Sequence, residues 1–170
     1  MATSNESGNA APPETAGTVL PFPIVGLGAS AGGLAPLTQL FEGLPGVPGM
    51  SFVVVMHLSP KHESNAPEIL QRSTRMTVKQ VTAPTRIERN HVYVIPPRRA
   101  LEMRDGTLDV TTLQRTNNRP GVIDRFFRAL AKAHRERAVA VVLSGTGSDG
   151  SAGIGEIKGQ GGVVIAHFVR

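Results

Sequence analysis

Apolar residues follow two rhythms along this chain. Unbroken runs at Phe22–Leu27, Ser51–Met56 (SFVVVM), His91–Ile95 and Ala138–Leu143 (AVAVVL) read as short strands buried on both faces. Between them, apolar positions recur at helical spacing. Leu34–Phe41 and Ala66–Arg72 predict helices, and so do Ile123, Phe126, Phe127, Leu130 and Ala131, with Pro120 just ahead as a start. A glycine-spaced helix running to Lys158 precedes a last apolar strand, Gly162–Ala166. A shorter strand is expected near Thr77–Val81, and Pro96-Pro97 halts the strand before it. Asp105-Gly106, between Leu101–Met103 and Leu108–Thr112, is a hairpin signal, placed here as an antiparallel excursion at the sheet edge. Alternation of this kind predicts an α/β fold: a doubly wound, mostly parallel sheet with helices on both faces and a small hairpin.

Composition narrows the chemistry. The 170 residues are expected to form a disordered leader over 1–20, rich in Ala, Ser, Thr, Pro, Glu and Gly, followed by one domain over 21–170. No cysteine is present, which excludes disulfides, thiolate metal sites and a cysteine nucleophile. The histidines His62, His91, His134 and His167 show no metal-ligand spacing with acids, so neither a metal nor another cofactor is expected. A net charge of +5 comes from arginines spread along the chain rather than clustered, with one tyrosine and no tryptophan for stacking. That argues against a nucleic-acid partner and is compatible with steering an acidic protein partner. No apolar run reaches the roughly 18–20 residues that span a bilayer, and no signal-peptide pattern opens the chain, so a cytoplasmic protein without membrane insertion is expected.

The candidate chemistry starts at Gly28-Ala29-Ser30-Ala31-Gly32, where the first strand turns into a helix. A serine on such a turn is exposed, the glycines allow a sharp bend, and the helix N-terminus behind it offers unpaired N–H groups to an oxyanion. The same letters, from Gly26 to Ala31, also fit a dinucleotide-binding fingerprint, or a merely structural tight turn. The fingerprint expects an acid at the end of the second strand; this one ends in His57, and the nearest acid is Glu63. In open α/β sheets the working residues gather at the carboxyl ends of strands. Three such ends carry Ser30, His57 and, in the loop Ser144–Gly150, Asp149. Imidazole can take the serine proton, and a carboxylate can fix the imidazole tautomer. Taken singly, His57 also reads as a polar rim residue, Asp149 as a cap on the following helix, and the glycine loop as a phosphate cradle lacking the P-loop lysine. The order Ser–His–Asp differs from the Ser–Asp–His order of α/β-hydrolases.

VGLGASAGG, VVVMHLSP, HVYVIPP and VVLSGTGSDG, in this order, resemble the catalytic domain of CheB-type chemotaxis methylesterases over about Phe22–Ala166. The chain is most similar to the CheB half of CheB/CheR fusion proteins, which implies a CheR-type methyltransferase as a related partner. The resemblance implies hydrolysis of glutamate methyl esters on chemoreceptor cytoplasmic helices with release of methanol, and glutamine deamidation beside it. It implies a triad of Ser30, His57 and Asp149, with oxyanion donors at the backbone N–H groups of Ala31 and Thr146. Three departures stand out. Met56 replaces the usual glutamine before the histidine; no receiver domain is expected ahead of the esterase; and the sequence runs to Arg170, where family members continue. A C-terminally incomplete domain is therefore expected, with part of the strand Gly162–Ala166 uncovered and activity lowered.

Overall fold

The computed structural model describes residues 17–57, 65–113, 121–143 and 147–167. The longest apolar runs become the centre of a sheet. β1 (Ile24–Ala29) and β2 (Ser51–Met56) are buried at every position, as strands with covered faces must be. β1 pairs in parallel with β2, Ile24 opposite Ser51, and on its other side with β8 (Ala138–Val142), Ile24 opposite Ala138. β2 continues to β5 (His91–Val94) and β5 to β3 (Thr77–Gln80), while β8 continues to β9 (Val163–Ala166). The order is β3-β5-β2-β1-β8-β9.

Helices cover both faces. Leu37 and Phe41 of α1 (Leu34–Glu42) and Leu70 of α2 (Ala66–Ser73) pack on Leu27, Val54 and Val94. On the opposite face, α3 (Val122–His134) and α4 (Ser151–Gly159) bring Ile123, Phe126, Phe127, Leu130 and Ile157 onto Ile24, Val53, Val55 and Ala140. The doubly wound arrangement is as the sequence implies. No helix among the described residues is long and apolar enough to cross a membrane.

Two glycines of β1 set how closely α3 lies. A Cβ on Gly26 would stand 2.9 Å from a ring atom of Phe127, and one on Gly28 would stand 2.7 Å from the Ile123 methyl Cγ2. The helix therefore rests almost on the strand backbone.

The hairpin is not an excursion of the main sheet. β6 (Arg99–Arg104) and β7 (Thr107–Thr112) join β4 (Thr85–Arg86) in a separate antiparallel sheet of order β4-β7-β6. The turn itself is as expected: Arg104 pairs with Thr107 around Asp105 and Gly106, whose φ values of 49° and 73° give the double left-handed turn that hairpins favour. Leu101, Met103 and Leu108 alternate onto one face, which needs an apolar cover, and the core on the α3 side supplies it.

The folded part also begins before Pro21. Leu20 is buried in the core, its carbonyl accepts from the Arg137 guanidinium at 3.0 Å, and the Thr18 N–H donates to Asp105 at 3.1 Å. A single leucine at the end of a polar stretch finds cover in the core beside the Asp105-Gly106 turn. At the other edge, Val164 of β9 packs on the α3 side, whereas Val163 and Ile165 remain 53% and 52% exposed on the other face.

Candidate active site at the switch point of the sheet

From β1 the chain runs to β2, then to β3 at the far edge, and comes back to fill in β5 between them; after the hairpin it returns through α3 to the other side of β1 as β8. The strand order reverses beside β1, and such a reversal opens a crevice at the carboxyl ends of the strands. Ser30, His57 and Asp149 all follow strands that end there. Ala29 is opposite Met56, and the His57 N–H donates to the Ala29 carbonyl at 3.2 Å, so Ser30 and His57 leave neighbouring strands side by side. On the other flank the Leu143 N–H donates to the Gly28 carbonyl at 2.9 Å, so the strand that precedes Asp149 ends beside the end of β1 as well.

The turn at Ser30 is compact without being strained. Ser30 is extended (φ −79°, ψ 177°), and a 3-10 turn over Ala31–Gly33 leads into α1, closed by Gly33 N–H to Ser30 O at 2.8 Å. Its glycines keep negative φ. Gly33 is required by space, since a Cβ there would lie 2.5 Å from that of Ala29. Gly28, expected to ease the bend, instead makes room for Ile123 of α3. The same packing accounts for Gly26 and Gly28 without a dinucleotide. Ala31 opens the turn, so its N–H precedes the first hydrogen bond of the turn and is free of an intrahelical partner. Thr146, the other expected oxyanion donor, lies outside the described residues.

His57 and Asp149 meet directly: Nε2 of the ring lies 2.6 Å from Oδ2 of the carboxylate. The histidine is 55% exposed and the aspartate 11%, so the ring has one edge held and the other open to an incoming group. With Nε2 donating its proton to Asp149, Nδ1 is the ring nitrogen left as an acceptor. Among the described residues no hydrogen bond joins Ser30 Oγ to the ring.

Asp149 does not cap the helix that follows it. Its carboxylate reaches the N-terminus of α3, accepting from Asp124 N–H at 2.9 Å (Oδ1) and from Ile123 N–H at 3.2 Å (Oδ2). These are two of the orphan donors of a helix whose own N-cap, Gly121, has no side chain to offer. A negative group thus sits at the positive end of the α3 dipole while holding His57. Gly121 is needed for this, because a methyl group there would overlap all three atoms of the Asp149 carboxylate.

Sequence reasoning missed Gly121 and Asp124. An acid in the first turn of a predicted helix reads as serving its own dipole, and only the folded chain shows another helix against it. The described residues therefore bring His57 and Asp149 into contact, set Ser30 on the adjacent strand, and present the start of α1 behind it. That arrangement can move a proton from a hydroxyl to a leaving group while a backbone N–H faces a developing charge.

A family model described as CheB methylesterase matches residues 25–168. The chain is 31% identical over 148 residues to a protein-glutamate methylesterase/protein-glutamine glutaminase of Photorhabdus laumondii, covering 85% of this chain and 42% of that protein. It is 34% identical over 163 residues to a protein of Pseudomonas aeruginosa with the same name and the number 2, covering 92% of this chain and 46% of that one. The chain thus spans less than half the length of these relatives. The crystal structure of the Thermotoga maritima CheB methylesterase catalytic domain superposes with a TM-score of 0.75 at 28% identity, covering 85% of this chain and 79% of that one.

Proposed function

This chain belongs to the CheB methylesterase family, and on that premise we propose that it is a serine esterase for glutamate methyl esters on the cytoplasmic helices of chemoreceptors. Ser30 Oγ attacks the ester carbonyl carbon while His57 Nδ1 takes its proton. Asp149 holds the ring through Nε2 and stabilises the imidazolium. The oxyanion faces the Ala31 N–H, with Thr146 N–H as the second donor that the family resemblance implies. The carbon–oxygen bond to the methoxy group then breaks, His57 returns the proton, and methanol leaves. Water attacks the acyl-enzyme with His57 again as base, and the products are the glutamate carboxyl group and free Ser30. With a glutamine side chain the leaving group is ammonia, in keeping with the glutaminase part of the relatives' names. The setting is adaptation of a receptor signalling pathway in the cytoplasm.

The observation that carries this reading is the 2.6 Å contact between His57 and Asp149 at the switch point beside the Ser30 strand end. A rim histidine and a plain helix cap have no reason to meet. The test pairs labelling of Ser30 by a fluorophosphonate probe with methanol release from a methylated receptor fragment. Both are expected, and Ser30→Ala should abolish both, with losses of about 10⁴-fold or more in turnover. A variant keeping half the activity would remove Ser30 from the mechanism. Binding of the receptor fragment without labelling would instead identify a docking module with an impaired site.

A further inference from the structure

We infer that Asp124 is a positioning residue for the proposed catalytic pair, because α3 and α4 are capped reciprocally by each other's carboxylates. The inference rests on the esterase reading only for its kinetic consequence.

Both helices begin at a glycine, Gly121 and Gly150, and neither has a side-chain cap of its own. Asp149, immediately before Gly150, accepts from the second and third N–H groups of α3, those of Ile123 and Asp124. Asp124, in the first turn of α3, accepts from the Gly153 N–H in the first turn of α4 at 2.7 Å through Oδ1. Each helix start therefore lends a carboxylate to the other. Asp124 is a buried acid, and burial of such a group is tolerated only when it is hydrogen-bonded. Gly153 permits the approach, since a Cβ there would lie 2.5 Å from Phe127 Cβ and 3.1 Å from the Asp124 carbonyl oxygen.

The consequence concerns the loop between the two caps. Gly150 turns with φ 99°, a conformation that supplies no rigidity of its own. Asp149 is held in front by its bonds to α3 and behind by the tether from Gly153 to Asp124. Removing the Asp124 carboxylate frees the start of α4, leaves the buried Gly153 N–H unpaired, and lets Asp149 shift relative to His57. Asparagine keeps an acceptor of the same length at Oδ1 and restores the tether. Glutamate keeps a carboxylate but adds one methylene, so it caps α4 at a changed distance.

The experiment reads the His57–Asp149 bond without any substrate. In protein labelled with ¹⁵N-histidine, the Nε2 proton of His57 should appear far downfield and exchange slowly with water. Asp124→Ala should lose that signal while circular dichroism still reports a folded chain, and Asp124→Asn should keep it. Fluorophosphonate labelling of Ser30 should slow by about 10- to 100-fold in the alanine variant, the scale of a misplacement near 1 Å. It should stay within about twofold of the parent in the asparagine variant. Should the alanine variant not fold, Asp124→Glu stands in, with the proton signal weakened and labelling slowed by about fivefold or more. A parent-like signal and labelling rate in the folded alanine or glutamate variant would overturn the inference. So would an asparagine variant as impaired as alanine. If the parent shows the proton signal but neither labels nor releases methanol, the esterase reading fails, and the signal series still decides the role of Asp124.

Discussion

Gly121→Ala isolates the contribution of a single missing methyl group. Gly121 has φ −60° and ψ 168°, a conformation open to any residue, so alanine imposes no backbone strain. What it lacks is space, because the new methyl would fall on the Asp149 carboxylate. To reach ordinary contact, at least 3.4 Å, the carboxylate and the α3 start have to separate by about 1 Å. The Nε2–Oδ2 distance of 2.6 Å cannot absorb such a shift and remain a hydrogen bond. Misplacement on that scale costs about 100-fold in rate. Stability suffers less: two helix-capping bonds weaken, at roughly 1 kcal/mol each, and alanine is a poorer N-cap than glycine. The expected loss of about 1–3 kcal/mol lowers the melting temperature by roughly 3–10 °C for a chain of this size. The assay is the second-order rate of Ser30 labelling by a fluorophosphonate, measured well below the melting temperature and set beside thermal unfolding. Parent-like labelling in Gly121→Ala would mean that the contact between Asp149 and the α3 N-terminus does not position the histidine.

Further outcomes follow from other contacts. His57→Ala and Asp149→Asn should each be severe, and adding Ser30→Ala to either should change little, since residues of one relay act as a unit; multiplicative losses would reduce Asp149 to a cap. His134 is wholly buried, its Nε2 lies 2.7 Å from the Phe22 carbonyl oxygen, and its Nδ1 has no partner among the described residues. Burial pushes its pKa below the usual 6.5; the nearby Arg137 adds to that shift, while the Phe22 carbonyl and Glu136 oppose it. The unfolded chain then binds the proton more readily, so this contribution is complete above about pH 6.5 and is lost as pH falls from there toward the folded pKa, with a slope of up to about 1.4 kcal/mol per pH unit. Unfolding midpoints across that window should fall less steeply in His134→Gln, which keeps an N–H donor. The half-exposed Val163 and Ile165 form an apolar strip on an edge strand, so a Val163→Thr, Ile165→Thr double variant should reduce self-association in sedimentation velocity without slowing Ser30 labelling.

The sheet was legible because its strands are unbroken apolar runs: Ser51–Met56 was read to the residue, and β1, β5, β8 and β9 to within two residues at either end. The catalytic candidates were legible because each follows such a run, and carboxyl ends of strands are where an open α/β sheet works. What escaped lies in tertiary contacts with no local signature. β4 is two residues long and exists only because β7 offers it a partner. The hairpin's turn could be read from Asp105-Gly106, whereas its home against α3 could not, since one apolar face fits any apolar neighbour. Gly28 looked like part of a catalytic turn, yet the atom that demands it is the Cγ2 of Ile123, 95 residues away in the chain. Taken singly, Asp149 also reads as a cap on its own helix, and it caps instead one that begins 27 residues earlier.

The position of Ser30 and His57 on one side of the strand-order reversal, with Asp149 on the other, has a consequence for biosynthesis. The histidine leaves the ribosome 92 residues ahead of the aspartate, and the serine earlier still. Until β8 docks along β1 and α3 offers its N-terminus, no carboxylate steadies the imidazole. On the proposed mechanism, a nascent or partly unfolded chain would carry an ordinary, unreactive hydroxyl. On that mechanism, reactivity would appear only once β8 has closed on β1, so the chemistry would report the docking of the two halves of the sheet.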